Sequence, residues 1–356
     1  MSETGLARWG TRVTYAVRQS GRVAWYAGHG AMVRRMAQKF EAGLPEPKRP
    51  TKRPNGPIPS MRRLLADVAQ LLARDLGNVE RGLYPAPEQE DGPLSKLIAG
   101  SRAFFRDVPE VMRRKHGGEG HEIAGENNGA ARPDYFMQNF HFQSGGWMTE
   151  ESARLYDMQV EVLFSGAANA MRRQALVPMA EELRARDQRQ VAYADIACGP
   201  GTFLDQARRA FPRLPALAID LSEAYLRETQ HRIGRRPKVL PLVAKAESLP
   251  LADACLDLAT CIYLFHELPP EIRLEVAREI ARVMKPGGLF ILVDSLQTGD
   301  EPDYDGLLEI FPDLFHEPYF AGYLDDDMEA LFARFGFVSE GRTNAFMSKV
   351  LALRKR

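Results

Sequence analysis

Near the start of the chain, hydrophobic residues recur at helical spacing. Trp9, Val13 and Val17 stand at i, i+4 and i+8, and Met32, Met36 and Phe40 repeat the interval, with Arg8, Arg12, Arg34, Arg35 and Lys39 between them. Two short amphipathic helices are predicted there. Pro45, Pro47, Pro50, Pro54, Pro57 and Pro59 then exclude helix and predict an extended linker. Ser60 is placed to cap a helix whose apolar face is Leu64, Leu65, Val68, Leu71, Leu72 and Leu76. Another helix is predicted over 94–115, interrupted near Pro109, and 117–132 reads as a glycine-rich polar loop. Thr149 is placed to cap a helix through Leu163, followed by a second over 167–186. From there the pattern changes: short apolar runs at 191–196, 215–220, 238–244, 256–264 and 289–294 alternate with helical stretches, which predicts a parallel sheet covered on both faces. Residues 295–327 read as irregular, acidic and aromatic, and 326–353 as a closing helix and strand. The pattern divides the chain into 1–59, a helical extension over 60–150, and an α/β domain over 151–356.

The stretch over 191–204, VAYADIACGPGTFL, is a strand, a tight turn and a helix start. In an open parallel sheet, ligands sit beyond the carboxyl ends of the strands, where a glycine turn lets backbone approach closely and leaves helix N–H groups free. Dinucleotides and S-adenosylmethionine both use such a turn. The dinucleotide fingerprint needs a third glycine where Leu204 stands. Asp195, at the strand end, repels a pyrophosphate and welcomes an ammonium group. Asp220 ends the next strand, at the distance where a carboxylate accepts from ribose hydroxyls in either cofactor class.

These residues resemble motif I of class I S-adenosylmethionine-dependent methyltransferases, acidic-x-Gly-x-Gly-x-Gly, with Ala197 in place of the first glycine. Lys285-Pro286-Gly287-Gly288 resembles the turn that introduces the fifth strand in that superfamily, and Lys245 to Pro250 resembles its Asp-Ala-Glu-x-Leu-Pro run, with Lys245 where the acid should be. Tyr156-Asp157 resembles a Tyr-Asp pair found before the first strand. The resemblance covers about 156–356 and is nearest the branch that methylates quinones, sterols and other small acceptors. It implies a doubly wound, Rossmann-like sheet closed by an antiparallel C-terminal hairpin, with S-adenosyl-L-methionine as cofactor. It also implies a cofactor site at Asp195, Ala197, Gly199, Gly201, Asp220, Leu221, Ala246, Glu247 and Ile262.

Charge changes the picture of the first segment only. The 47 basic and 47 acidic residues cancel overall, but 1–63 holds 13 Arg or Lys against 3 Asp or Glu. This helical, basic extension suits packing on the main domain, an anchor with Trp9, Trp25 and Tyr26 at the headgroups of an anionic membrane, or an organellar transit peptide. It also admits an RNA-binding arm, although nucleic acid is disfavoured as a partner. Cys198, Cys255 and Cys261 show neither metal-type spacing nor a disulfide framework, which points to a reduced, cytoplasmic compartment. His116, Glu119, His121 and Glu122 read as a solvated loop rather than a metal site.

Methyl transfer needs donor and acceptor held in line, and no dedicated nucleophile. His266, just past the fourth strand, is the expected proton acceptor. His141 is its reserve, within the aromatic run 135–147, where Asn139, His141 and Gln143 alternate and are expected to face a pocket. The aromatic residues over 311–323 are expected to form an apolar lid. Ala197 and Lys245 leave room for a rival reading, a non-catalytic S-adenosylmethionine-binding scaffold.

Overall fold

The computed structural model describes residues 5–44, 53–118, 120, 122–125, 132–234 and 239–356. Glu119 and His121 of the polar loop, and much of the proline-rich linker, lie outside them. The N-terminal half is helical: α1 (Gly5–Ala42), α2 (Met61–Glu80), α3 (Leu94–Gly117), α4 (Glu150–Leu163), α5 (Ala168–Arg173) and α6 (Leu176–Leu183). Side-chain caps start several of them as expected; Ser60 accepts from Arg63 N and Thr149 from Ser152 N. Helix α3 runs through Pro109 without stopping and ends on Gly118, whose φ of 69° suits a glycine after a helix. The single helix expected over 167–186 is two.

The two helices expected before residue 40 are one, α1, and its inward face is not the apolar stripe. Tyr15, Gln19, Arg22, Tyr26 and His29, at alternating steps of four and three, are buried. Trp9 is 66% and Val17 68% exposed. Charge explains the reversal. Arg22 pairs with Asp91 at 2.8 Å and with Glu161 of α4 at 2.8 Å. Tyr15 Oη donates to Asp75 of α2 at 2.5 Å, and Tyr26 Oη to Asp91 at 2.7 Å. Arg173 of α5 closes the network on Asp75, at 2.7 Å, and on Glu90. These carboxylates have left water, so α1 must present donors to them rather than apolar side chains. The exposed Arg12 and Arg18 pair with Glu80 and Glu88, so part of the basic excess is neutralised within the chain. The described part of the linker is docked as well, since Gly306 N donates to Pro57 O at 2.9 Å.

The rest alternates: β1 (Tyr193–Ile196), α7 (Thr202–Ala210), β2 (Ala216–Asp220), α8 (Glu223–Ile233), β3 (Val239–Val243), β4 (Leu256–Ile262), α9 (Pro270–Val283) and β5 (Met284–Ser295). Then follow α10 (Asp305–Leu314), α11 (Phe320–Leu324), α12 (Met328–Ala333), β6 (Phe337–Ala345) and β7 (Ser348–Lys355). Helices α10 and α11 occupy the stretch expected to be irregular. The sheet order is β3-β2-β1-β4-β5-β7-β6, parallel from β3 to β5, with β7 antiparallel to β5 and β6. This is the doubly wound sheet with its C-terminal hairpin. Alternate residues serve the two faces. Tyr193, Leu258 and Ile291 pack with Leu176, Leu204 and Leu226, while Ile196, Ala259 and Phe290 pack with Val276, Ile280 and Phe332. The strand order reverses at β1, and the crevice beyond β1 and β4 is where such a sheet takes ligands. Among the described residues, no helix is long and apolar enough to cross a membrane.

Arg173 is the cation against Asp75 and shares Glu90 with Arg22. Removing one member of a buried pair costs about 3–5 kcal/mol because it strands the partner charge. Arg173→Ala is therefore expected to lower the unfolding free energy by that order in denaturant titration, whereas Arg12→Ala, at a solvated pair, leaves the midpoint nearly unchanged.

Candidate active site

The turn after β1 is shaped by three residues with positive φ, Ala197 at 56°, Gly199 at 57° and Gly201 at 76°. Each has a separate reason. A Cβ on Gly201 would stand 2.8 Å from Thr229, so this glycine lets α7 approach α8. A Cβ on Gly199 would meet nothing within 4 Å, so its bare backbone faces the open crevice. Ala197 holds a left-handed conformation with a side chain, a strain on the order of 1 kcal/mol. Asp220 fixes the turn from β2, accepting from Gly199 N and Ser222 N, both at 2.8 Å. Asp157 of α4 accepts from Thr202 Oγ1 at 2.6 Å and pairs with Arg232, whose Nε donates to Pro200 O. The acid of the Tyr-Asp pair thus clamps the turn, while Tyr156 lines the pocket.

Asp195 is 1% exposed. Its Oδ1 accepts from Thr260 Oγ1 at 2.6 Å, and its Oδ2 has no hydrogen-bond partner. Burial pushes its carboxyl up to about 7, and burial likewise pushes Asp220 up to about 6 against the backbone donors. An orphaned carboxylate oxygen facing the pocket, beside a glycine with free space, fits the ammonium end of S-adenosylmethionine.

Over this floor lies an aromatic cover. Tyr135, Phe136, Phe140 and Trp147 line the pocket from the segment before α4, joined by Tyr156, Tyr225 and Tyr263. Trp147 is the hub, its ring 5.6 Å from Phe140, 5.7 Å from Tyr156 and 5.5 Å from Tyr225. Tyr135 Oη donates to Glu247 at 2.8 Å and ties the cover to the loop after β3. Arg172, buried in the pocket wall with its guanidinium 5.5 Å from the Tyr263 ring, is the one arginine of the lining.

Of the expected cofactor residues, Asp195, Ala197, Gly199, Asp220, Leu221, Ala246 and Ile262 line the pocket. Gly201 and Glu247 support it from behind. Asn139 and Gln143, expected to face the pocket, are spent on the cover itself: Asn139 donates to Gln143 O at 2.9 Å, and Gln143 to Tyr225 Oη at 3.1 Å. The segment is not extended but turns through positive φ at His141 and Phe142, which removes the expected alternation. None of the aromatic residues over 311–323 lines the pocket, although Phe315, His316 and Tyr319 pack behind the cover on His141, Phe142 and Gln138. Phe320 and Tyr323 are buried in the core and enclose the His266 ring.

Neither expected proton acceptor lines the pocket; Glu267 does, between them. His266 Nδ1 is held at 2.5 Å by Asp294 Oδ1, and His266 Nε2 is 3.6 Å from Glu267 Oε1. Burial opposes protonation of His266, but Asp294, then Glu317 and Glu267, outweigh it and push the imidazole up to about 10. His141 Nε2 lies 2.9 Å from Glu317 and 4.0 Å from Glu267. Glu267, Glu317, Arg172 and Tyr263 were not singled out in sequence. A signal for the two acids existed, since Phe-His-Glu occurs at both 265–267 and 315–317.

Residues 194–288 match the family model described as "Methyltransferase domain". Among curated proteins, the chain is 31% identical over 129 residues to a sterol 4-C-methyltransferase of Caenorhabditis elegans, covering 36% of this chain and 37% of the relative. It is 34% identical over 83 residues to a ubiquinone/menaquinone biosynthesis C-methyltransferase of Acidiphilium cryptum, covering 22% and 32%. The chain thus spans about a third of the length of the curated relatives it matches. A solved S-adenosylmethionine-dependent methyltransferase from Aquifex aeolicus aligns over 50% of this chain and 88% of its own, at 17% identity and a TM-score of 0.38.

Asp195 and Asp220 have folded-state carboxyls raised above the ordinary 3.8. Such groups stabilise the protonated fold, and that contribution is lost as pH rises from about 4 towards the folded values of about 6 and about 7. Asp195→Asn is therefore expected to raise the melting temperature of the unliganded protein by a few degrees at pH 8 and to change it little at pH 5. Thermal scans at the two pH values check this; equal shifts at both would show that the orphaned charge is not the cause.

Proposed function

We propose that this chain, which carries a class I S-adenosylmethionine-dependent methyltransferase domain, methylates a small, lipophilic acceptor of sterol or quinone type. The observation that carries this reading is the continuity of one pocket, in which two strand-ending carboxylates and an aromatic wall line the same space. The names of relatives that act on sterols and quinones support it. When bound, S-adenosylmethionine supplies an electrophilic methyl on a sulfonium. The chain's own residues do the rest. Asp195 accepts from the ammonium group and Asp220 from ribose hydroxyls, while Gly199 lets the backbone approach. Phe136, Phe140, Trp147 and Tyr156 exclude water and hold a flat apolar acceptor in line. Where the acceptor must lose a proton, Glu267 is the carboxylate on the pocket wall, with His141 and His266 behind it.

The test incubates the protein with methyl-labelled S-adenosylmethionine and a cell lysate, then separates lipid, aqueous and nucleic-acid fractions. Label is expected in the lipid fraction, with Asp195→Ala weakening cofactor affinity about tenfold or more, as loss of a charge-assisted contact requires. Label in nucleic acid would instead favour the RNA-methylating reading, and no label at all the scaffold reading.

We further propose that the outward face of α1 rests on an anionic membrane surface from which such an acceptor is drawn. Trp9, Val13, Val17 and Met32 are exposed along one helix, and Arg34, Arg35 and Lys39 are exposed near its end. An apolar stripe with basic neighbours is the pattern of a helix lying in the headgroup region. Tyr26 is not part of it, since it packs inward on Asp91. The full chain is expected to float with vesicles of mixed neutral and anionic phospholipid, and Val13→Glu with Val17→Glu to reduce the floated fraction several-fold. Equal flotation of both proteins, or none for the parent, would refute the anchor.

A further inference from the structure

Glu317 is an unusual carboxylate. Its side chain is fully buried, and neither of its oxygens accepts a hydrogen bond. A carboxylate taken out of water with no donor is costly unless a cation sits against it. His141 Nε2 is near, at 2.9 Å, but not aligned to donate. That same nitrogen is 4.0 Å from Glu267 Oε1, and His266 Nε2 approaches the Glu267 oxygen at 3.6 Å. One ligand atom from each of His141, Glu267 and Glu317 falls within 4.8 Å of the other two.

We propose that His141, Glu267 and Glu317 bind one divalent first-row transition-metal ion. Nitrogen and oxygen ligands held about 2.0–2.2 Å from a shared ion stand roughly 3–3.5 Å apart; His141 and Glu317 already stand 2.9 Å apart, and Glu267, 4.0 Å from the same nitrogen, has to close on them when the ion binds. Imidazole and carboxylate together suit Zn²⁺, Fe²⁺ or Mn²⁺. The outer shell is already built. Asp294 holds His266 Nδ1 at 2.5 Å and leaves Nε2 3.6 Å from Glu267 Oε1, where it steadies a liganding carboxylate from behind. Asp294 is itself fixed, accepting from Phe265 N at 2.8 Å and Ser295 N at 2.7 Å. His141 sits in a left-handed backbone conformation, with φ of 55°, that aims its ring at the two glutamates. The ligands come from three separate segments, so no metal-type spacing shows in the sequence.

Glu267 also lines the pocket, which places the ion at its wall. There it would offer a Lewis-acid face to an oxygen of the acceptor and lower that oxygen's proton affinity. The ion's role at the acceptor rests on the proposed methyl transfer; the binding site itself does not.

The test uses the full-length protein, stripped with a chelator and dialysed, titrated with Zn²⁺ and separately with Mn²⁺ by calorimetry in the absence of cofactor. Saturation at one ion per chain is expected for at least one of the two. Glu317→Gln and His141→Gln are each expected to weaken that binding by about tenfold or more, while circular dichroism and S-adenosylmethionine affinity stay close to the parent. The Mn²⁺ complex is expected to show imidazole nitrogen couplings in its paramagnetic resonance spectrum, diminished in His141→Gln. Absence of saturable binding, or parental affinity in both variants, would overturn the site and leave the cluster an ion-paired group.

Discussion

Two adjacent arginines on one short helix hold the two halves of the molecule in register. Arg173 turns towards the N-terminal helices and neutralises Asp75 and Glu90, while Arg172 turns the other way, into the pocket wall beside Tyr263. Neither is exposed. Guanidinium suits both positions because it stays charged when buried and forks to more than one acceptor. Glu161 extends the constraint, since it pairs with Arg22 of α1 and accepts from the N–H groups of Ala168 and Asn169 that begin α5. The extension is therefore not an appendage. It sets the position of α4 and α5, and these carry Tyr156, Asp157 and Arg172 to the site.

The site itself is built at a cost to the unliganded fold. Asp195 keeps one oxygen without a donor, Ala197 holds a strained backbone, and two buried carboxyls lie well above their ordinary range. Each feature faces the same crevice. A pocket tuned only for stability would place an amide or an aliphatic side chain at 195, and a cationic ligand against that carboxylate offsets the cost.

The part of the fold governed by local rules was legible in sequence. Short apolar runs, a glycine turn behind Asp195, and the Lys-Pro-Gly-Gly run at 285–288 marked the sheet and its crevice, although that run is a register irregularity inside β5 rather than a turn before it. The N-terminal helix was misread at its face. Trp9, Val13 and Val17 are the conspicuous residues, but the partners that decide which side is buried are Asp75, Glu90, Asp91 and Glu161, all distant in sequence. Phe320 and Tyr323 were misplaced for the same reason, since the His266 ring they pack on is supplied by another element. Glu267 and Glu317 escaped notice because each is unremarkable in its own segment. Only the turn over 140–142 brings His141 to meet them.

The inward face of α1 bears on how the chain assembles as it is made. Tyr15, Gln19 and Arg22 leave the ribosome well before their partners at Asp75, Glu90 and Asp91, and Glu161 comes later still. A polar face gains little from collapse until carboxylates are there to meet it, and Asp75, Glu90 and Asp91 supply the first of these. The inward face of α1 is thus completed only when the first half of the chain has emerged, whereas every strand of the sheet lies in the second half.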